Sequence, residues 1–448
     1  MKRILFLLTI MWIIALKGYS QNAVTDTSKY NLTISDCINY AYAHQHDVVN
    51  ANLDVTSAGY HVKEIIGQGF PQVSGSANFL DYLIIPTTLI PGSFIGQQGN
   101  VKIKFGVTYQ STAGATLNQI IFDPNYFIGL QGRKTYKQLY ERSYTRTKID
   151  ASVNVTKAYY QVLVNIEQLK LLDADINQLK QQVDETAARN KQGFVEKVDV
   201  DRITVQYNSL VTNRENALRS LGLDYELLKF QMGMPLEKEL TLKDKLENVT
   251  LDASLVDPVN DTTVYRNRVE YNLLETQKIL NEYDVKSKKG QFLPKLSLTA
   301  NYSASFQDNS IANLYSTNFP SSYIGLTLNV PIYTGGQHVN QLRQSEINVI
   351  KSQNDLYNMK NTIDLQIREA RISYINGLQT LNSQKKNMAL AEEVLRVSKI
   401  KYEQGVGSSI EVTQAQTSLQ DADNSYIQGL YDALVSKVDL DKAYGRIK

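Results

Sequence analysis

The sequence predicts a mainly α-helical chain with a smaller β component, in which long coiled-coil hairpins continue into strands of a transmembrane β-barrel. Three observations predict it. Motifs recur in the same order through both halves of the chain. Two long stretches, 125–234 and 332–448, contain no proline. Short segments ahead of each stretch alternate apolar and polar residues.

The recurrence fixes the organisation first. Pro71-Gln-Val-Ser-Gly-Ser-Ala-Asn-Phe79 returns as Pro294-Lys-Leu-Ser-Leu-Thr-Ala-Asn-Tyr302, and Thr116-Leu-Asn-Gln-Ile-Ile-Phe122 as Thr327-Leu-Asn-Val-Pro-Ile-Tyr333. Lys191-Gln-Gly-Phe-Val-Glu-Lys-Val-Asp-Val200 returns as Glu403-Gln-Gly-Val-Gly-Ser-Ser-Ile-Glu-Val412. The offset is 223 at the first motif (294 − 71) and 211 at the second (327 − 116), so the first copy carries 12 extra residues between its strands. The pattern divides the chain into a first repeat at 21–234, an inter-repeat equatorial segment at 235–262 and a second repeat at 263–448. Each repeat reads helix, two barrel strands, long helical hairpin.

Residues 1–20 read as a signal peptide: Lys2 and Arg3, an apolar core from Ile4 to Leu16, and Gly18-Tyr-Ser20 ahead of the cut. A membrane anchor is the alternative, but that core falls short of the roughly 20 residues a spanning helix needs. Loss of Lys2, Arg3 and Lys17 takes the net charge from +2 to −1 (+2 less three) and removes the single tryptophan, Trp12. Near-neutral charge without a basic block gives no footprint for nucleic acid. The single cysteine, Cys37, excludes an intramolecular disulfide and sits in a helical pattern as a small buried apolar residue.

The helical stretches carry heptad spacing, with Leu169, Leu172, Ile176, Leu179 and Val183 forming one seam. Gly193 and Gly405 end the outgoing arms, 128–191 and 339–403, each about 95 Å long at roughly 1.5 Å per residue. The returning arms, 197–230 and 409–443, are half that length. Helices at 34–67 and 265–291 are expected to cover the remainder, so that two short helices lie end to end beside one long one.

In the strands, Val101, Ile103, Phe105, Val107 and Tyr109 alternate with polar residues, as do Leu296, Leu298, Ala300, Tyr302, Ala304 and Phe306. This suits a water-filled barrel in a membrane and also a half-solvated sheet; the export signal and the lack of helices to cover the greasy face favour the barrel. Four strands cannot close one, because about eight is the practical minimum, so several chains must contribute. The segment 81–100, with Ile84, Ile85, Leu89, Ile90 and Phe94, reads as an exterior loop that plugs or caps the barrel.

The paired strand starts Phe70-Pro71 and Leu293-Pro294, the strand ends Asn118–Asp123 and Asn329–Gly335, and the two glycine turns together resemble the TolC family of outer-membrane efflux and secretion channels. The resemblance runs from about residue 30 to 445. It implies a homotrimer in outer-membrane lipid of a Gram-negative bacterium, extending into the periplasm. It further implies a membrane-fusion adaptor and an inner-membrane pump as partners, and neither enzymatic activity nor a cofactor. By the family pattern a gate carboxylate falls at Asp199 and its tyrosine partner at Tyr402, whereas the usual arginine position holds Gly407. Acidic rings fall at Glu411 and at Gln414, the second neutral here, which implies a weakened cation preference. First-turn acids also serve the helix dipole, an alternative reading of Asp199 and Glu411. The tips Gly193, Phe194, Val195 and Gly405, Val406, Gly407 resemble adaptor-docking surfaces, or equally sites that pack against a neighbouring hairpin.

Two rival classes remain in view. His44 and His46 face different sides of a helix and make a poor metal pair, and no nucleophile elbow or phosphate loop occurs, which argues against an enzyme. A periplasmic coiled-coil adaptor also has helical hairpins, but not duplicated strand pairs. The cargo, whether drug, metal or protein, is not written in the chain.

Overall fold

The computed structural model describes residues 29–96, 98–246, 249, 251 and 264–447. The expected signal segment 1–20 and much of the inter-repeat segment lie outside the described residues. The elements in order are β1 (Tyr30–Leu32), α1 (Ile34–His44), α2 (His46–Gly67), β2 (Gln72–Asp81), β3 (Thr87–Pro91), β4 (Asn100–Lys104) and β5 (Tyr109–Phe122). There follow α3 (Pro124–Lys191), α4 (Lys197–Met232), β6 (Leu240–Leu242), α5 (Val269–Gly290), β7 (Lys295–Asp308), β8 (Phe319–Asn329), α6 (Gln337–Glu403) and α7 (Ser409–Ala443).

Local sequence explains the long helices. Asp123 caps α3 by accepting from the Asn125 amide at 2.9 Å, and Pro124 occupies the first helical position, where its missing N–H costs nothing. Helix α3 has 68 residues and α6 has 67 residues. At the rise of an α-helix each runs about 100 Å. Both end at left-handed glycines, Gly193 (φ 83°) and Gly405 (φ 78°). The amides of both glycines bond back into the last helical turn.

Two of the long helices alternate with two stacked columns. Helix α2 packs on the β-proximal part of α3 and α4 on its distal part; α5 and α7 likewise share the groove between α3 and α6. The stacking joints are intimate. Gly233, the C-cap of α4 at φ 70°, lies so close to the chain at His44 and Gln45 that a Cβ there would meet the His44 carbonyl at 2.5 Å. At the other joint the buried Arg268, just ahead of α5, donates to the Ala443 carbonyl at the end of α7 at 3.1 Å.

Strands β2, β5, β7 and β8 form one antiparallel sheet in that order. Its two faces differ by register. Val73, Leu117, Ala300 and Ile324 form one row, with Leu298 and Leu326, then Leu296 and Leu328, in further rows of the same face. The opposite face carries Gln72, Asn118 and Thr299, then Ser74, Thr116 and Asn301, then Asn78, Thr112 and Ser305. Asn301 Nδ2 donates to Thr116 Oγ1 at 2.8 Å, and Thr299 Oγ1 to Asn118 Oδ1 at 3.2 Å. Among the described residues the sheet is open at β2 and β8, so one chain does not close a barrel.

Beside the helices, β1 pairs in parallel with β6, and this small sheet covers a core of Cys37, Val155, Tyr159, Leu228 and Met232. Cys37 is fully buried, and burial pushes its thiol up to about 12. Among the described residues no helix is long and apolar enough to cross a membrane.

Two expectations need correction. The helix expected across 34–67 breaks at Gln45, whose backbone is extended (ψ 128°) and whose side chain caps α2 through the Val48 amide at 2.8 Å. The strand expected across Val101–Tyr109 is two pieces. Val101 and Ile103 belong to β4, which pairs with β3 in a separate hairpin within the connection from β2 to β5; the sheet strand begins only at Tyr109. Gly106, at φ 127°, turns the chain between them. That backbone conformation is open to glycine and strained for other residues.

Candidate functional site: the helical tip and the two-faced sheet

At the tip, each turn closes by short backbone bonds. Phe194 N donates to Arg189 O at 3.0 Å, and Val406 N to Lys401 O at 3.0 Å. The turns thrust Phe194 and Val406 into solvent, 77% and 79% exposed, with Ile410 beside them. Val195 is half-buried, its carbonyl held by Asn190 Nδ2 at 2.8 Å. Gly407 sits where a Cβ would lie 3.0 Å from Lys401 Cβ and 3.1 Å from the Tyr402 amide, so the turn leaves little room for a side chain.

Asp199 and Tyr402 are brought into one neighbourhood but not into a bond. The Asp199 carboxylate accepts from Arg202 Nη1 at 3.1 Å and from the Ser409 hydroxyl; Arg202 Nη1 also donates to Ser409 Oγ at 2.8 Å. The Tyr402 hydroxyl is buried without a hydrogen-bond partner, and burial, then the Asp199 charge, raises its pKa. The bridge from Tyr402 to Asp199 implied by the resemblance is therefore absent within one chain. Reading along the chain missed Arg202. Its spacing was the available signal: three residues after Asp199, it lies on the same face of α4.

Glu411 and Gln414 lie on α7 near the tip, and both are exposed. Glu411 lies in the first turn, and its amide donates to the Ser408 side chain at 3.2 Å. A carboxylate in that position also serves the helix dipole. Behind the tip lies a cavity of about 210 Å³ lined by Gln178, Gln182, Glu185, Arg189, Lys399 and Tyr402.

The wall has two uncovered edges. On α4, Val198, Val205, Leu223, Leu227 and Phe230 lie on one stripe and are exposed; on α6, Ile350, Tyr357, Ile372, Leu390 and Val397 do the same. These edges align with the open sheet edges, because β2 follows α2 in the first column and β8 leads into α6.

The same combination of barrel strands and tip-closed hairpins recurs in known proteins. The family model described as outer membrane efflux protein matches residues 279–446, the whole of the second hairpin and its strands. The second half of the chain is thus similar to outer membrane efflux proteins. The outer membrane protein TolC of Escherichia coli is 23% identical over 347 residues, spanning 75% of this chain and 70% of that protein. Among solved structures, CusC superposes with a TM-score of 0.75 at 15% identity, covering 95% of both chains. The Campylobacter jejuni CmeC outer membrane channel gives 0.72 at 16% identity, over 94% of this chain and 90% of that one. At such identities the structural likeness shows the fold, and the chemistry of the tip has to be read from this chain's own side chains.

Proposed function

We propose that three copies of this chain form a conduit that carries molecules from the periplasm across the outer membrane of a Gram-negative bacterium, as the outer part of an efflux or type I secretion system. One observation carries the reading: a sheet with one apolar and one hydrogen-bonded polar face, open at both edges, runs into a helical wall whose two edges each bear an apolar stripe. Such a chain is unfinished. The α4 edge and the α6 edge are different surfaces, so the contact between copies is head-to-tail, and closure gives a ring. Three sheets of four strands exceed the minimum for a barrel, with the apolar rows towards lipid and the polar rungs towards water.

In this reading the units are 21–234, 235–262 and 263–448, and the chain moves cargo rather than converting it. The tips close the periplasmic end. Asp199, with Tyr402 behind it, belongs to that gate, and Glu411 and Gln414 face the aperture, where a single ring of carboxylates gives a weakened cation preference. The exposed Phe194 and Val406 are anchors for the hairpin of a periplasmic adaptor, itself coupled to an inner-membrane pump.

The test is single-channel conductance of the full-length protein, purified in detergent, in planar bilayers. The expected wild-type signal is small and mostly closed, and Asp199→Ala raises it. Tyr402→Phe alone changes little, since its hydroxyl makes no bond to lose. Absence of any conductance from well-folded protein, together with extraction from cells without solubilising the outer membrane, refutes the conduit and favours an adaptor.

A further inference from the structure

We infer that Arg202, seconded by Gln206, is the positioning residue that latches the two repeats together at the tip, a link made within each protomer. The inference rests on the conduit reading above and deepens it. Helices α4 and α7 belong to different repeats, both run away from the tip, and they share only sparse contact. Their hydrogen bonds come in register. Arg202 Nη1 reaches Ser409 Oγ at 2.8 Å; one turn on, Gln206 Nε2 reaches the Thr413 carbonyl at 3.2 Å and Thr417 Oγ1 at 3.4 Å. Donors four apart on α4 thus meet acceptors four apart on α7, the spacing at which residues share a helix face.

The first rung is the stronger. It is charge-assisted, with Asp199 accepting from both Arg202 and Ser409, so that three side chains close a ring of contacts. It is also shielded: Ser409 is buried, and the Asp199 side chain is 20% exposed. Position 407 holds glycine and supplies no guanidinium, and a side chain there would need Lys401 and Tyr402 to give way slightly. Arg202 therefore serves Asp199 and crosses to α7 from a single place on α4. Spreading the tip must separate α4 from α7, and that breaks both rungs.

The experiment is planar-bilayer conductance of full-length trimers, comparing Arg202→Ala, Arg202→Lys, Gln206→Ala, Ser409→Ala and Arg202→Ala/Ser409→Ala with wild type and with Asp199→Ala. Arg202→Ala is expected to shift the closed-to-open ratio about tenfold towards open, equivalent to about 1.4 kcal/mol. Gln206→Ala gives about threefold, as for a neutral bond. Arg202→Lys recovers part of the closure, and Ser409→Ala opens the channel less in the Arg202→Ala background than in wild type, because only its bond to Asp199 is then left to lose, a coupling that a merely structural role would not produce. If Asp199→Ala opens the channel and Arg202→Ala conducts like wild type, the latch is overturned while the conduit and its gate stand. If Arg202→Ala and Ser409→Ala effects simply add, the shared rung is likewise overturned. If no variant or wild type conducts, the conduit reading itself has failed, and the latch with it.

Discussion

The two returning helices, α4 and α7, occupy matching places in the two repeats, yet they are buried very differently. Helix α7 buries fifteen of its residues, α4 only four: Ile203, Leu210, Leu228 and Met232. The difference follows from position in the wall. Helix α7 lies in the groove between α3 and α6 and closes at the tip on α4, so three faces find partners. Helix α4 lies at the edge and packs on α3 alone along most of its length, through Leu172, Leu179, Ile203 and Leu210. Composition adapts accordingly. Close approach of α7 to α6 relies on small residues, with Gly377 of α6 set where a Cβ would lie 3.2 Å from Ala433 Cα. Helix α4 keeps a greasy stripe that one chain leaves in water, which marks an interaction surface. One returning helix thus lies inside the protomer and the other forms one of its joining edges.

The largest effect should come from breaking that edge. A Leu223→Glu/Phe230→Glu variant places two carboxylates on the α4 stripe. Each unpaired charge buried against a neighbour costs about 3–5 kcal/mol. Light scattering in detergent should show trimers replaced by monomers, with the far-ultraviolet helical signal unchanged. Trimers that survive would mean the α4 edge is not covered, and the contrast with α7 would lose its explanation. A smaller effect is expected on the inner helix. Ala433→Leu overpacks the α6–α7 contact at a cost of about 1–3 kcal/mol, lowering the midpoint of thermal unfolding by several degrees. Leu218→Ala on the half-exposed side of α4 should stay within about 0.5 kcal/mol of wild type. Equal effects at the two sites would erase the distinction between an inner and an edge helix.

Much of this is legible along the chain because it rests on local rules. Proline-free stretches, heptad spacing and glycine turns place the long arms to within a few residues, and period-two alternation finds β7. What escapes is set by contacts distant in sequence. The break at Gln45 has neither proline nor glycine to announce it; the end of α4 abuts the chain there, at Gly233. The strand expected across Val101–Tyr109 fails because a hairpin and a barrel strand share the same period, and only pairing partners tell them apart. At the tip, the resemblance points to Asp199 and Tyr402, but which groups bond to that carboxylate depends on α7 arriving beside α4. Arg202 and Ser409 meet across 207 residues of chain.

The smallest effect sharpens the comparison by pH. Helix α7 carries the buried Asp423, which meets the buried Asp175 of α3; the repeat offset of 212 (405 − 193) matches it to Val211 on α4. The groups facing the pair are Lys399 and Glu392 of α6. Burial, then the neighbouring Asp175 charge, pushes Asp423 up to about 7, and burial raises Asp175 as well. A carboxyl whose pKa is raised on folding binds its proton more tightly in the folded state. Its contribution is whole below the unfolded value near 4 and declines as pH rises towards about 7. The α3–α7 seam should therefore loosen between about pH 4 and 7, with the unfolding midpoint falling as pH rises through that window. Asp423→Asn keeps the shape and removes the titration, so its midpoint should vary less over that range and exceed wild type at the alkaline end. A variant that follows the wild-type curve would show that the acid pair is not what makes this inner seam sensitive to pH, and that α7 differs from α4 in packing alone.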